Sequence, residues 1–256
     1  MTPAVQLIDA SAAYADRPIL RAVSLSVAPG ELVAIVGRSG RGKTTLLRLV
    51  AGLLGAEAGE VRVLDGTPAE AQRAKRIGLV AQDARLHPWR TVRANVGLPL
   101  EVNPSATVAA DDPDDWIERL GLADAADAYP HELSGGMRQR ANIIRTLIYD
   151  PELILMDEPF GPLDAQTRIV LQDQLLRLWS ASKKSIIFIT HDLIEAIALA
   201  DRVVLMSSRP GKIKFIEQVN IPRPRDVFQI HDSPAFHSSY EKLWQELRPE
   251  VKLTEA

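Results

Sequence analysis

Glu31-Leu32-Val33-Ala34-Ile35-Val36-Gly37-Arg38-Ser39-Gly40-Arg41-Gly42-Lys43-Thr44-Thr45 is the stretch that decides the fold. It opens with an almost continuous apolar run, the pattern of a strand buried on both faces. The strand passes straight into Gly37 to Thr44, which fits G-x-x-x-x-G-K-[ST]. In that pattern the glycines let backbone N–H groups wrap phosphate oxygens, and the helix that follows presents its positive end to them. Lys43 can reach the terminal phosphates, and the Thr44 hydroxyl can ligate Mg²⁺. Leu46, Leu47, Leu49, Val50, Leu53 and Leu54 then recur at helical spacing, with Gly55 and Gly59 expected at the helix end.

Outward from this unit the same alternation repeats. Apolar runs at Ile77 to Val80, Leu153 to Met156, Ile186 to Ile189 and Val203 to Met206 read as buried strands. Arg168 to Trp179 and Ile194 to Ala200 read as helices between them, which predicts a mostly parallel α/β sheet. Val5 to Ile8 and Ser24 to Val27 read as short strands around a turn at Ala15 to Pro18. From Asp83 to Leu147 the pattern turns helical and proline-punctuated, as expected for a helical subdomain inserted into the sheet domain. Asp111 to Asp115 within it reads as a solvated loop. After Arg209-Pro210-Gly211 a short strand and a final amphipathic helix, about Phe236 to Leu247, complete the chain.

The bulk numbers narrow the function. The chain has 256 residues, a formal net charge of -3 and no cysteine. Thiolate metal sites, disulfides and cysteine nucleophiles are excluded, and a general nucleic-acid binder would be basic. No apolar run approaches the ~18 residues of a membrane helix, and the N-terminus lacks the basic start of a signal peptide.

Chemistry gathers at strand ends. Asp157 and Glu158 close the Leu153 strand; one carboxylate can hold Mg²⁺ while its neighbour, expected on the opposite face, orients or deprotonates a water. His191 follows Ile186 to Thr190 and can donate to a phosphate. In Leu133-Ser134-Gly135-Gly136-Met137-Arg138-Gln139-Arg140, Ser134 and the glycines open a helix, offering a hydroxyl and backbone donors, or simply a helix cap.

In this order these segments resemble the ATP-binding-cassette (ABC) ATPases. The resemblance implies a P-loop NTPase (RecA-like) core with a small antiparallel β subdomain and an inserted helical signature subdomain. It implies an ATPase domain over 1–215, the helical insertion at about 83–147, and a short extension over 216–256. It implies ATP and Mg²⁺ as ligands. Nucleotide contacts then fall to Tyr14, Gly37, Arg38, Ser39, Gly40, Arg41, Gly42, Lys43, Thr44 and Thr45. Tyr14 matches the aromatic that stacks on adenine. Thr44, Gln82 and Asp157 match the metal ligands, and Glu158, His191, Gln82 and Lys43 the catalytic set. Ser134, Gly135, Gly136 and the D-loop Asp164 match residues that close on ATP held by a second copy.

A finer likeness rests on Leu86-His87-Pro88-Trp89-Arg90-Thr91-Val92 with Asn95-Val96, and on Met206-Ser207-Ser208-Arg209-Pro210-Gly211-Lys212-Ile213. Both are similar to segments of importers of the nitrate, sulfonate and taurine group. Pro162 and His87 depart from the usual residues there. The implied machine is a homodimer on the cytoplasmic face of the inner membrane, peripheral through two permease subunits. An extracytoplasmic solute-binding protein feeds it, and no nucleic acid is involved. The alternative within the family is a non-transport ATPase such as one for iron–sulfur assembly.

Overall fold

In the computed structural model, which describes residues 2–15, 17–38, 40, 42–103, 112–207 and 210–252, a small sheet packs beside a larger one that has an apolar core on each face. β1 (Val5–Tyr14) pairs antiparallel with both β2 (Arg17–Val27) and β4 (Ala58–Val63). The larger sheet runs β5 (Ile77–Val80), β6 (Leu153–Asp157), β7 (Ser185–Thr190), β3 (Leu32–Val36), β8 (Arg202–Met206), β9 (Ile213–Gln218). Its pairs are parallel except the last, β8 with β9. This is the α/β architecture of the P-loop nucleotide hydrolases, with the antiparallel subdomain beside it.

The apolar run on β3 is explained by burial on two faces. Leu32, Ala34 and Val36 join the core beneath α5 (Gly135–Leu147), α6 (Ala165–Ser182) and α7 (Leu193–Leu199). Val33 and Ile35 join the core shared by α1 (Lys43–Val50) and the small sheet. Strand alternation thus places successive residues in different cores.

Several boundaries move. β1 and β2 are longer than the short strands expected, because each also pairs along its outer half near the turn. α1 stops at Gly52, not Gly55: Gly52 has φ +71, and a Cβ there would lie 2.9 Å from the Pro68 backbone. Leu53, read as part of the apolar stripe, is therefore largely exposed. Gly59 lies inside β4, a strand with too little apolar patterning to be read from sequence. The helix α2 (Pro68–Arg73) was likewise not anticipated; a Thr67–Glu70 capping box starts it.

Between the neighbouring strands β5 and β6 the chain makes α3 (Val92–Val102), α4 (Pro113–Arg119) and α5. The acidic run belongs partly to α4, where Asp112 accepts from Asp114 N at 3.0 Å as the N-cap; Asp111 lies outside the described residues. β9 crosses residue 215, so the C-terminal extension begins as the last strand of the sheet. α8 (Pro234–Lys252) then packs on α7 and β9. Arg225, buried, donates to the carbonyls of Ile197, Ala198 and Ala200 at 3.1, 3.3 and 2.7 Å, closing the end of α7. Burial brings its guanidinium down to about 10. Arg223 lies 4.0 Å over the Trp179 ring and pairs with Asp201 at 2.7 Å.

Candidate functional site

Parallel register builds the site. Val36 on β3 lies opposite Thr190 on β7, Asp157 on β6 opposite Ile189, and Val80 on β5 opposite Met156. The loops that leave these strands therefore emerge side by side at one sheet edge, carrying Gly37, His191, Glu158 and Gln82. Strands in a sheet are about 4.8 Å apart, so residues remote in sequence come within reach of each other. Crevices outside the carboxyl ends of parallel strands are the general ligand site of such sheets.

A polar cleft of about 320 Å³ opens there, lined by Tyr14, Ile19, Gly40, Gly42, Lys43, Thr44, Thr45, Gln82 and Glu158. The buried Lys43 donates from Nζ to Gly37 O at 2.6 Å and Arg38 O at 3.0 Å, which bends the loop over its own ammonium group. α1 starts at Gly42 with no side-chain cap, so the positive helix end faces the cleft. Gly42 is required: φ is +89, and a Cβ would come within 2.6 Å of Leu20 Cδ2. Ser39 and Arg41, expected in the same loop, lie outside the described residues, as do Ser208 and Arg209.

Thr44 donates from Oγ1 to Asp157 Oδ2 at 2.8 Å. Burial, and then the nearby Glu158, push the Asp157 carboxyl above its ordinary range, while Thr44 and Lys43 oppose this. Glu158 departs from the expected alternation. β6 ends at Asp157, and Glu158 takes a left-handed backbone, φ 46, with its N–H bonded to Ile189 O at 3.1 Å. That turn sends Glu158 to the cleft, where Gln82 Nε2 donates to its Oε2 at 3.3 Å and His191 Nδ1 lies 3.5 Å from the same oxygen. Holding a non-glycine residue there costs of order 1 kcal/mol or more, a strain of the kind that gathers at functional sites.

The oxygen donors Thr44 and Asp157, with the Gln82 amide beside them, suit a small hard cation that keeps waters and substrate phosphates as its other ligands. A desolvated carboxylate beside a second acid is an environment that such a cation relieves. Among the described residues no group of three or more His, Cys, Asp or Glu could hold a metal.

Ser134, Gly135, Gly136 and Asp164 do not line this cleft. Ser134 is exposed and caps α5, accepting from Met137 N at 3.2 Å. A Cβ on Gly136 would meet Leu163 Cδ2 at 2.9 Å, so the start of α5 rests on the loop before α6. Pro162, unusual in that loop, lies beside Gly135. Asp164 caps α6 by accepting from Thr167 N at 3.0 Å, and these local bonds hold its carboxyl below the usual range.

Three residues escaped the sequence reading. Arg48, one turn into α1, donates to the Tyr14 hydroxyl at 3.3 Å. Asn142 donates to Ala81 O at 3.2 Å, and Arg145 to Ala84 O and Arg85 O at 3.1 Å each. The helix headed by Ser134 therefore grips the loop that carries Gln82. Only helical spacing along α5 could have hinted at that.

The ABC transporter family matches residues 20–161 of the chain. An uncharacterized ABC transporter ATP-binding protein of Methanocaldococcus jannaschii is 47% identical over 213 residues, 81% of this chain and 78% of that one. An aliphatic sulfonates import ATP-binding protein of Cupriavidus pinatubonensis is 45% identical over 232 residues, 90% of this chain and 73% of that one. Among solved structures, the dimeric post-hydrolysis state of an ATP-binding cassette bound to ADP and Pi superposes with a TM-score of 0.74 at 28% identity, covering 85% of this chain and all of that one. With the fold, the phosphate loop and these likenesses in agreement, the chain belongs to the ABC transporter family, as an ATP-hydrolysing, ATP-binding subunit.

Proposed function

We propose that two copies of this chain, bound to a membrane permease, hydrolyse ATP to drive import of a small sulfonate-like or related anionic solute. The observation that carries the two-copy reading is the division of the motifs. The phosphate loop, both acids, Gln82 and His191 converge on one edge, while Ser134, Gly135, Gly136 and Asp164 lie outside that cleft. A second copy facing the first, as in the dimeric cassette, would supply them.

In the cleft Tyr14 would stack on the base, the Gly37–Thr44 backbone with Lys43 would hold the phosphates, and Thr44, Gln82 and Asp157 would hold Mg²⁺. The ion, when bound, neutralises phosphate charge. Glu158, held toward the cleft by its left-handed turn, orients the attacking water and accepts its proton. The oxygen of that water forms the new bond to the terminal phosphorus as the bond from phosphorus to the bridging oxygen breaks, giving ADP and phosphate. His191, beside Glu158, donates to that phosphate, and Ser134 with the α5 backbone of the other copy closes over it.

The permease contact is assigned to the loop before α3. Buried Asn95 donates to the carbonyls of His87, Arg90 and Thr91 at 3.1, 2.9 and 3.0 Å and accepts from His87 N at 2.7 Å. This clamp holds Trp89 outward, 71% exposed. A rigidly presented tryptophan is an interface anchor. Leu86, by contrast, packs against the core, so Trp89 alone is the clean probe. The chain has no cysteine, so Trp89→Cys adds a single thiol. In the assembled transporter that thiol should crosslink to a permease subunit, and Trp89→Asp should abolish ATP-driven uptake of an alkanesulfonate while ATP binding survives. Crosslinks confined to soluble proteins would remove the importer reading. Trp89-dependent ATPase without uptake of any sulfonate would remove only the solute class.

A further inference from the structure

Behind His191 lies a buried polar chain that the mechanism above does not use. Glu195, on α7, is 6% exposed. The Thr190 hydroxyl donates to Glu195 Oε2 and accepts from Asp192 N at 3.0 Å. Gln172, on α6 and 4% exposed, donates from Nε2 to Glu195 Oε1 at 3.3 Å. Asp192 caps α7, accepting from Ile194 N at 2.8 Å and Glu195 N at 3.4 Å. Arg168, also on α6, lies 3.8 Å from Asp192 and donates to Leu163 O at 3.1 Å, the residue before Asp164. The groups that face Glu195 are thus Thr190 from β7, Asp192 from its own loop, and Gln172 and Arg168 from α6.

His191 sits between Thr190 and Asp192, both held by this chain, while its own ring is 66% exposed and touches only Glu158 among the contacts described. An exposed imidazole has no packing of its own to fix it. Its direction must come from the backbone on either side. A carboxyl buried among apolar helices is costly to keep unless it does something, and burial lifts Glu195 to about 7. A purely apolar side chain at this place would remove that cost, but it would also leave Thr190, Asp192 N and Gln172 without their links.

We propose that Glu195 is the positioning residue of the ATPase site, fixing His191 through Thr190 and, through Arg168, tying the His191 loop to the loop that bears Asp164. This rests on the role given to His191 above. Glu195 touches neither nucleotide nor water; it acts only through its neighbours. Misplacing a reacting group by about 1 Å can lower turnover about 100-fold without changing substrate binding. Glu195→Ala and Thr190→Val should therefore lower kcat about 10- to 100-fold with KM for ATP little changed. Glu195→Gln, whose amide oxygen can still accept from Thr190 while its NH2 donates to Gln172 Oε1 once the Gln172 amide turns over, should stay within about threefold of the parent.

The decisive experiment is a double-mutant cycle on the full chain, in kcat, with Glu195→Ala and His191→Ala singly and together. The expected result is that Glu195→Ala slows turnover in the parent and adds nothing in the His191→Ala background. Equal, multiplying losses in both backgrounds would overturn the proposal, as would full activity of Glu195→Ala. If Glu195→Ala does not fold, Thr190→Val replaces it in the same cycle with the same two readings. Unchanged turnover in His191→Ala itself would instead sink the role given to His191, and the proposal with it.

Discussion

Glu158 and Asp157 are adjacent in sequence yet meet different partners, and the backbone explains why. Asp157 remains in β6 and bonds to Thr44; Glu158 leaves it by a left-handed turn and meets Gln82 and His191. The sequence named both acids but assigned their divergence to strand alternation, because a positive φ at a glutamate leaves no mark in composition. Glu158→Gln should preserve ATP affinity and lower turnover by about 10²- to 10⁴-fold, the usual loss for a general base. Equilibrium nucleotide binding and single-turnover hydrolysis on the same preparation check this, and near-normal turnover would remove Glu158 from its role.

Glu195 makes a second prediction at the same scale. It keeps its proton in the fold up to about 7, whereas the ordinary value is 4.5. Between those values the folded chain binds more protons than the unfolded one, so this group's contribution falls as pH rises and levels off above about 7. The Gln variant lacks the titration. Its stability relative to the parent should rise across that window by on the order of 3 kcal/mol, at about 1.4 kcal/mol per pH unit. Urea unfolding of both proteins at pH 5 and pH 8 would show it; parallel curves would mean that Glu195 titrates normally.

Among the elements, those on strong periodic signals were legible: β3, β5, β6, β7 and β8 fall where apolar runs predict them, as do α6 and α7 within a few residues. β4 and α2 were not, since one is largely exposed and the other is set by its cap. Likewise Phe236 to Leu247 understated α8, because a helix end on a protein surface loses its apolar signal before it loses its hydrogen bonds. The Asn95 loop shows a further limit. The resemblance marked Asn95 as notable, but only the fold shows one side chain closing four backbone bonds around Trp89. Asn95→Ala should cost about 1–3 kcal/mol, because it takes the side-chain partner from the partly buried His87 N and Arg90 O. It should also weaken permease binding more than ATP binding. A denaturant midpoint unchanged from the parent would refute the clamp.

At the scale of the whole molecule, the parallel sheet gathers the phosphate loop, both acids and Gln82 at one edge, while Ser134, Gly135, Gly136 and Asp164 do not line that cleft. The family resemblance marked both sets of residues in the sequence. That they lie apart needed the fold, because Gly135 and Gly136 pack on the Pro162–Leu163 loop of their own chain and not over their own phosphate loop. Two copies arranged in opposite senses would complete two sites at once. The C-terminal extension belongs to the same unit. Arg225 binds it to the end of α7 whose other end carries the His191 loop.

The most direct measurement mixes two inactive variants, Lys43→Ala and Ser134→Arg, and follows ATP hydrolysis. Each alone breaks both composite sites of its dimer, whereas a mixed dimer keeps one site with both Lys43 and Ser134 intact. The account predicts little activity from either variant alone and recovery on mixing to about a quarter of the parent rate, since half the dimers then carry one whole site of two. A mixture no faster than the mean of its parts, or a Ser134→Arg chain that alone matches the parent, would contradict it.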